Sequence, residues 1–236
     1  MIPLVTVGRL DPCVLLAFDT PADQVRPLVP APLLPVERDG RSFWNIVVCR
    51  VDKMRPIGLP RALGLSYVHV AYRILVRCEI ESGEMLQGLY FVRSDVDRSI
   101  VSVPGNRTSD FRFHLSKVDL RYDAQHVEAV VRTHDGFDAS MCVEVDEKIS
   151  TPPDPMLKYR PLGLACDPGG NVVRLAEVFR NESDWHETPV KVTRGTFQFF
   201  DTMRQTVRLV GATRVRPIDY RWRLGRVSRV ASPRID

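Results

Sequence analysis

The sequence predicts a mainly β protein with a few short helices, folded as a single antiparallel β-barrel. Apolar residues that alternate with polar ones dominate residues 41–230, and turn-forming dipeptides such as Asp39-Gly40 and Asp135-Gly136 separate these runs. Stretches with helical patterning are few and short, so parallel βαβ units are disfavoured. An antiparallel barrel or sandwich protects strand edges, and a barrel also gives a mixed strand face an interior to line.

Composition favours one soluble domain that spans residues 1–236. The chain is 44% hydrophobic and 26% charged, contains no internal repeat or linker, and has no apolar run near the ~18 residues that a membrane helix needs. The first residues lack the basic and apolar regions of a signal peptide. We therefore expect a cytoplasmic protein with no membrane partner.

The cysteines agree with a reducing compartment, because they are odd in number, widely spaced and free of any C-x-x-C pair. Three of them lie within apolar strand-like runs, where a small hydrophobic residue is expected. We predict reduced thiols rather than a disulfide framework for Cys13, Cys49, Cys78, Cys142 and Cys166.

The first predicted element is a helix over residues 20–29. Thr20 can cap it, Pro21 suits the first helical position, and Asp23 favours the positive end of the helix dipole. The proline-rich stretch 27–35 then leads into an extended segment.

Residues 33–38 and 41–51 are predicted to form a hairpin with its turn at Asp39-Gly40. Residues 65–80 form the most regular predicted strand, and a turn at Ser82-Gly83 leads to a strand at 84–93 that pairs back antiparallel. Strict alternation gives one apolar face: Val68, Val70, Tyr72, Ile74, Val76 and Cys78. The opposite face is mixed rather than plainly solvated: Tyr67, His69, Ala71, Arg73, Leu75 and Arg77.

A second short helix is predicted over residues 95–103, capped by Ser94 or Asp95 and ended by Pro104-Gly105. A proline-rich loop is expected at 150–155. The remaining predicted strands lie at residues 111–122, 126–134, 137–149, 172–180 and 188–230.

Arginine is concentrated at the C-terminal end. Of the 33 basic residues, 28 are Arg. Residues 204–236 hold nine of these arginines and two acids, a net charge of +7, whereas the rest of the chain carries −3, which gives the total of +4. This asymmetry raises nucleic acid or an acidic protein as a partner. In residues 215–230, however, the arginines recur among apolar residues as on the solvated face of a strand, which disfavours nucleic acid.

Several catalytic signatures are missing from the sequence. The chain has no P-loop, no dinucleotide-binding glycine motif and no hydrolase nucleophile elbow. The five histidines lack metal-binding spacing, so we expect neither a metal site nor a cofactor. We interpret the tetrapeptide DWHE at 184–187 as a polar turn with Trp185 packed inward.

Four stretches in succession resemble a known family: VRPLVPAPLLPVERDGRSFWNIVVCRV at 25–51, RPIGLP at 55–60, LSYVHVAYRILV at 65–76 and GNRTSDFRFHLSKV at 105–118. Over residues 12–150 the chain is similar to an uncharacterised bacterial family of the acetoacetate decarboxylase-like superfamily. The resemblance implies a single antiparallel β-barrel with an internal pocket beneath small helices.

In the decarboxylase itself, the corresponding segment ends in Gly-Phe-Pro-Lys-Lys, and the first lysine forms a Schiff base with a β-keto acid. Here Gly105, Arg107 and Phe111 match that segment, whereas Phe113 and His114 occupy the two lysine positions. The chemistry requires an amine of lowered pKa. The resemblance therefore implies a protein without the Schiff-base lysine.

The resemblance also marks the mixed strand face as the site. Tyr67-Val68-His69 stands where the decarboxylase has Tyr-x-Glu, and Arg73 matches an arginine usual in the uncharacterised family. An arginine can hold a carboxylate, and His69 or His114 could act as acid or base. The predicted ligand-binding residues are Tyr67, Arg73, Arg107, Phe111 and Phe113. The structural alternative pairs Arg73 with a carboxylate such as Glu84 and makes His69 a core imidazole.

The sequence thus predicts an acetoacetate decarboxylase-like protein that binds a small, anionic molecule of the organic-acid class in its barrel, with or without catalysis. One alternative is a non-enzymatic interaction protein that uses the arginine-rich C-terminal region. Another is a decarboxylase with a relocated lysine, for which Lys117 is the candidate although it lies ~13 Å beyond Phe113 on a regular strand. The sequence leaves open whether the protein forms a homo-oligomer.

Overall fold

The computed structural model describes residues 4–146 and 162–231. The proline-rich loop predicted at 150–155, and the end of the strand predicted at 137–149, lie outside the described residues. The described chain is mainly β, as the sequence predicts. No helix in this part is long and apolar enough to cross a membrane.

Fifteen strands occur in the described residues: β1 (Leu4–Pro21), β2 (Leu34–Pro35), β3 (Glu37–Arg38), β4 (Arg41–Pro56), β5 (Leu65–Glu79), β6 (Met85–Val96), β7 (Phe113–Leu115), β8 (Lys117–Tyr122), β9 (His126–Arg132), β10 (Ala139–Val145), β11 (Leu162–Cys166), β12 (Val172–Phe179), β13 (Glu187–Phe197), β14 (Arg208–Val215) and β15 (Ile218–Arg229). The α-helices there are short: α1 (Ala22–Val25), α2 (Ser99–Thr108) and α3 (Gln198–Thr202). Single 3-10 turns lie at Arg26–Leu28, Arg61–Leu63 and Glu182–Asp184.

The strands form one mixed sheet, ordered β3-β4-β5-β6-β11-β12-β15-β1-β14-β13-β10-β9-β8, with β2 beside β5 and β7 beside β6. Because β1 also pairs with β4, hydrogen bonding runs around a closed circuit of β1, β4, β5, β6, β11, β12 and β15. The prediction of a purely antiparallel sheet is wrong, since β6 pairs in parallel with both β7 and β11. Between β6 and β7, residues 97–112 contain α2 and bring the chain back in the direction of β6.

The three predicted hairpin turns are confirmed. They close β3–β4 at Asp39-Gly40, β5–β6 at Ser82-Gly83 and β9–β10 at Asp135-Gly136. The glycines have φ values of 71°, 81° and 80°, a region that costs glycine little because it has no Cβ.

The helix predicted over 20–29 is shorter than expected. Strand β1 continues to Pro21, which stands at the N-cap of α1, so Thr20 belongs to the strand and does not cap the helix. Only Ala22–Val25 is α-helical, and a 3-10 turn containing Pro27 follows it.

Helix α2 begins and ends later than predicted, because β6 extends to Val96 and the helix passes through Pro104. The hydroxyl of Thr108 donates to the Pro104 carbonyl at 3.0 Å, and that of Ser109 donates to the Gly105 carbonyl at 2.8 Å. Gly105 does not end the helix. It allows close packing, because a Cβ there would lie 2.5 Å from the ring of Phe113. The helix therefore rests directly on that ring.

Two hydrophobic cores lie on opposite faces of β5, which confirms its predicted alternation. The first core holds Tyr72 and Ile74, and the ring of Tyr72 stacks on Phe199 of α3 with centroids 4.3 Å apart. The second core holds Tyr67 and Leu75 inside the closed circuit. With both faces buried, β5 can present polar side chains to an interior space.

Candidate functional site

A cavity lies in the second core, beside the odd-numbered residues of β5. The cavity volume, counted as the space that the centre of a water molecule can occupy, is about 50 Å³. This volume suits a ligand of a few non-hydrogen atoms. Its lining is mostly apolar, and the polar or aromatic members are Cys13, Cys49, Tyr67, His69, Arg73, Phe91, Phe111, Trp185, Tyr220 and Trp222. A mainly apolar lining with few polar groups is typical of small-molecule sites.

Strand register brings part of this lining onto one rung. Cys13 of β1 lies opposite Cys49 of β4, and Cys49 lies opposite His69 of β5. Arg73 stands four residues farther along β5, or roughly 13 Å at ~3.3 Å per residue. Burial lowers the pKa of His69 and the charge of Arg73 adds to this effect, whereas the same charge opposes the rise that burial causes in the pKa of both thiols. The long side chain of Arg73 therefore acts on the His69 end of the cavity.

His69 has an unsatisfied nitrogen. The residue is 9% exposed, and its Nε2 has no hydrogen-bond partner. The ring packs between Phe113 and Tyr67, with centroid distances of 5.4 Å and 6.4 Å. Burial, reinforced by the charge of Arg73, lowers the pKa of His69 to about 3. The imidazole is therefore neutral at neutral pH.

Arg73 is a buried cation, with 1% of its surface exposed. It donates to the backbone oxygen of Asn45 at 3.4 Å and, through Nη2, to the side-chain Oδ1 of Asn45. Its guanidinium also lies 5.6 Å from the ring centre of Phe91. Glu84, the carboxylate considered as its partner, is exposed at the far end of the β5–β6 hairpin.

The thiols and the phenol at this site are held in their neutral forms. Burial raises the pKa of Cys49 to about 12 and that of Cys13 well above its usual value. Burial likewise raises the pKa of Tyr67, whose hydroxyl donates to the sulfur of Met54 at 3.1 Å. These groups shape the cavity without supplying a nucleophile, because the thiolate is the reactive form of cysteine.

The tetrapeptide 184–187 contributes to the cavity wall. Trp185 packs inward, as predicted, and its Nε1 donates to Glu187 at 2.6 Å. The guanidinium of Arg180 lies 3.5 Å from the indole centroid, and it also donates to the hydroxyl of Tyr220 at 3.2 Å. The sequence identified the turn but not its place at the cavity.

The predicted site residues separate into two groups. Tyr67, His69, Arg73 and Phe111 line the cavity, and Phe113 is buried against His69. The other two do not reach it: His114 and Arg107.

Strand parity explains the position of His114. Phe113 of β7 points into the second core, so the next side chain along the strand points outward and is exposed. Burial and the nearby charge of Arg93 lower the pKa of His114. Arg107 is exposed in the last turn of α2. Neither residue lines the cavity, so their roles at a site stay predictions.

None of the described lysines lines the cavity. Lys117 is exposed at the start of β8, and Lys53 and Lys191 are exposed elsewhere. Lys148 and Lys158 lie outside the described residues. In the same part of the chain, no group of three His, Cys, Asp or Glu side chains is arranged to hold a metal ion.

The C-terminal arginines lie on the outer face of β15, as the alternation predicts. Tyr220, Trp222 and Leu224 are buried, whereas the intervening arginines point outward. Arg223 and Arg226 both donate to Glu177, at 2.5 Å and 2.8 Å. Their charge is therefore partly neutralised within the sheet.

The closed circuit of strands around this cavity is the fold of acetoacetate decarboxylase-like proteins. The chain is similar to an acetoacetate decarboxylase-like enzyme from Sphingomonas wittichii RW1, with 17% identity and a TM-score of 0.61 over 96% of this chain and 92% of that one. The acetoacetate decarboxylase of Legionella pneumophila gives 13% identity and a TM-score of 0.62, over 98% and 88%. The enduracididine biosynthesis enzyme MppR, complexed with pyruvate, gives 13% and 0.61, over 96% and 90%. At these identities the likeness establishes the fold.

The family follows from the sequence match. The chain belongs to the DUF2071 family, described as an uncharacterized conserved protein, whose profile matches residues 9–159, more than half of the chain. No curated protein is similar enough in sequence to count as a relative. The predicted membership of an uncharacterised acetoacetate decarboxylase-like family is thus confirmed.

Proposed function

We propose that this protein binds a small organic carboxylate, without a covalent bond, inside a single-domain β-barrel. The observation that carries the proposal is the unpartnered Nε2 of His69 in a cavity wall that also holds the guanidinium of Arg73. A buried polar atom without a partner costs about 1–3 kcal/mol and is rare in native proteins. A ligand that forms a hydrogen bond with Nε2 removes this cost.

Arg73 supplies the charge that selects an anion. A carboxylate can accept two parallel hydrogen bonds from a guanidinium, and such charge-assisted bonds are about twice as strong as neutral ones. The ring of Phe91 and the amide of Asn45 fix the guanidinium in place, so little side-chain freedom is lost on binding.

His69 supplies a neutral hydrogen-bonding group at the other end of the ligand. In the neutral imidazole, one nitrogen donates and the other accepts. A bound anion stabilises the protonated ring, so binding raises the pKa of His69 from about 3. If the protein is an enzyme, we assign the acid–base role to His69 and not to His114.

The organic-acid class has support from size and from a neighbour of the same fold. The cavity volume of about 50 Å³, counted for the centre of a water molecule, suits a compact molecule. The structure of MppR was solved in complex with pyruvate. We also propose that the chain is one cytoplasmic domain, which accords with the free state of its five cysteines.

The charge requirement is tested by calorimetric titration with pyruvate and acetoacetate, each compared with its uncharged methyl ester. The acids are expected to bind saturably and the esters at least about tenfold more weakly, because the esters lose the charge-assisted bonds to Arg73. Equal affinity of acids and esters would contradict the proposal.

The non-covalent part is tested by borohydride trapping in the presence of acetoacetate or pyruvate, followed by peptide mapping of all five lysines. We expect no adduct, since Phe113 stands at the expected lysine position and no described lysine lines the cavity. A stable adduct on any lysine, including Lys148 or Lys158, would contradict this part alone.

A further inference from the structure

A second concave surface, here called the basic groove, lies where β1, β4 and β15 run side by side. The space open to the centres of water-sized molecules is about 500 Å³, far more than in the cavity. Tyr220 belongs to the walls of both. The cationic lining residues are Arg9, Lys53, Arg55, Arg61, Arg180 and Arg221.

Positive charge exceeds negative charge in the groove. Three carboxylates line it against six cations, which leaves +3. Each carboxylate already accepts a hydrogen bond: Asp52 from Arg50 at 2.8 Å, Asp184 from Asn181 at 3.0 Å and Asp219 from Arg9 at 3.4 Å. Among the six lining cations, only Arg9 is paired with one of these three carboxylates.

Four of the cations have no carboxylate partner among the described residues: Lys53, Arg55, Arg61 and Arg221. Several arginines elsewhere on the surface are instead paired with carboxylates. Arg174, for example, is paired with Asp110 at 2.6 Å, and the C-terminal Arg223 with Glu177 at 2.5 Å. The groove therefore gathers, on one concave surface, four cations that no described carboxylate neutralises.

The backbone holds these charges in defined positions. Arg55 donates to the carbonyl oxygens of Leu59 at 2.9 Å and Lys53 at 3.0 Å. Lys53 has a φ of 53°, and a Cβ on Gly64 would come within 2.5 Å of its carbonyl oxygen. A positive φ is uncommon for lysine and costs about 1–3 kcal/mol. Such conformations cluster at functional sites.

The spacing of the two sheet arginines fits a phosphoryl group. Val7 of β1 pairs with Arg55 of β4 on one side and with Arg221 of β15 on the other. Neighbouring strands lie about 4.8 Å apart, so the two arginine backbones are separated by about 10 Å across the central strand. Two long guanidinium side chains can close on a tetrahedral anion over that gap.

We propose that the basic groove is a phosphate-binding site, which takes a phosphoryl group as inorganic phosphate or as part of a phosphorylated small molecule. Several forked donors without acidic partners match the several oxygens and the charge of a phosphate better than the single charge of a carboxylate. The inference does not depend on the ligand of the cavity.

The test is calorimetric titration at low ionic strength with inorganic pyrophosphate, inorganic phosphate and phosphoenolpyruvate. The informative variant is R61Q/R221Q. The matched control is R132Q/R229Q, which removes the same charge at two exposed arginines outside the groove. Thermal unfolding of each variant checks that the fold is intact, and R61K/R221K, which keeps the charge, serves if the glutamine variant is unstable.

We expect saturable pyrophosphate binding that weakens at least tenfold in R61Q/R221Q and less than threefold in the control. R61K/R221K is expected to retain more affinity than R61Q/R221Q. Tighter binding of phosphoenolpyruvate than of phosphate would show that the groove takes its phosphoryl group from a phosphate ester. Tighter binding of phosphate would show that the ligand is the free ion. The proposal is overturned by equal losses in the two glutamine variants, or by binding of a single-stranded oligonucleotide without binding of pyrophosphate.

Discussion

The cavity and the basic groove share Tyr220 but differ in the number and the burial of their cations. The cavity contains one cation, Arg73, which is 1% exposed and surrounded by apolar and aromatic side chains. The groove gathers six cations, and all of them except the buried Arg180 lie where water and ions screen them. A single buried charge can select a ligand strongly, whereas the surface cations must act together.

Replacing Arg73 with Met is expected to have the largest effect. The change keeps most of the side-chain volume but removes the charge, so affinity for pyruvate should fall about 100-fold or more, or ~2.7 kcal/mol. Calorimetry measures the loss. R77M is the control, because Arg77 lies on the same strand but is exposed; an equal loss there would remove the distinction between buried and surface charge.

Replacing His69 with Phe should change how stability depends on pH. The pKa of His69 is about 3 in the folded protein, against 6.5 for an ordinary histidine. Between these values the unfolded chain binds the proton and the native chain does not, so stability falls as pH decreases below about 6.5. The slope from this one group reaches about 1.4 kcal/mol per pH unit.

Urea unfolding of the wild type and H69F between about pH 6 and 4 isolates that slope, because the carboxylates titrate alike in both proteins. We expect the wild type to lose stability faster than H69F as the pH falls. Parallel curves would mean that His69 is not a buried neutral imidazole.

Salt should weaken ligand binding in the basic groove more than ligand binding in the cavity. Raising ionic strength from about 0.01 to 0.15 M shortens the Debye length from about 30 to 8 Å. Pyrophosphate affinity in the groove is expected to fall severalfold, and pyruvate affinity in the cavity by less than about twofold, because buried charges are screened less. Similar salt dependence of the two ligands in calorimetry would erase the contrast.

The smallest expected effect concerns the neutralised arginines of β15. E177Q removes the shared partner of Arg223 and Arg226, so retention on heparin at low salt should increase slightly. The free energy of unfolding should drop by less than about 1 kcal/mol, the usual range for partly exposed ion pairs. Strong heparin retention of the wild type itself would favour the interaction-protein alternative.

Local patterns predicted the parts of the fold that depend on neighbouring residues. Strict alternation along β5 placed Tyr67, His69 and Arg73 on one face, and the structure puts all three in the cavity wall. The turn dipeptides marked the hairpins for the same reason, since glycine is needed where φ is positive.

Features that depend on long-range register could not be predicted in this way. The pairing of Cys13 with Cys49, the meeting of Arg55 and Arg221 around Val7, and the two parallel pairings all join distant segments. The position of His114 outside the cavity wall is of the same kind, because the start and direction of β7 decide which of two adjacent residues points inward. A shift of one residue exchanges the faces of a strand.

The most direct measurement is a crystal structure of the protein soaked in pyruvate. We expect the carboxylate within about 3 Å of the guanidinium of Arg73, a ligand oxygen hydrogen-bonded to Nε2 of His69, and no bond to lysine. Pyruvate bound to a lysine, or bound only outside the cavity while Nε2 of His69 stays without a partner, would contradict this expectation.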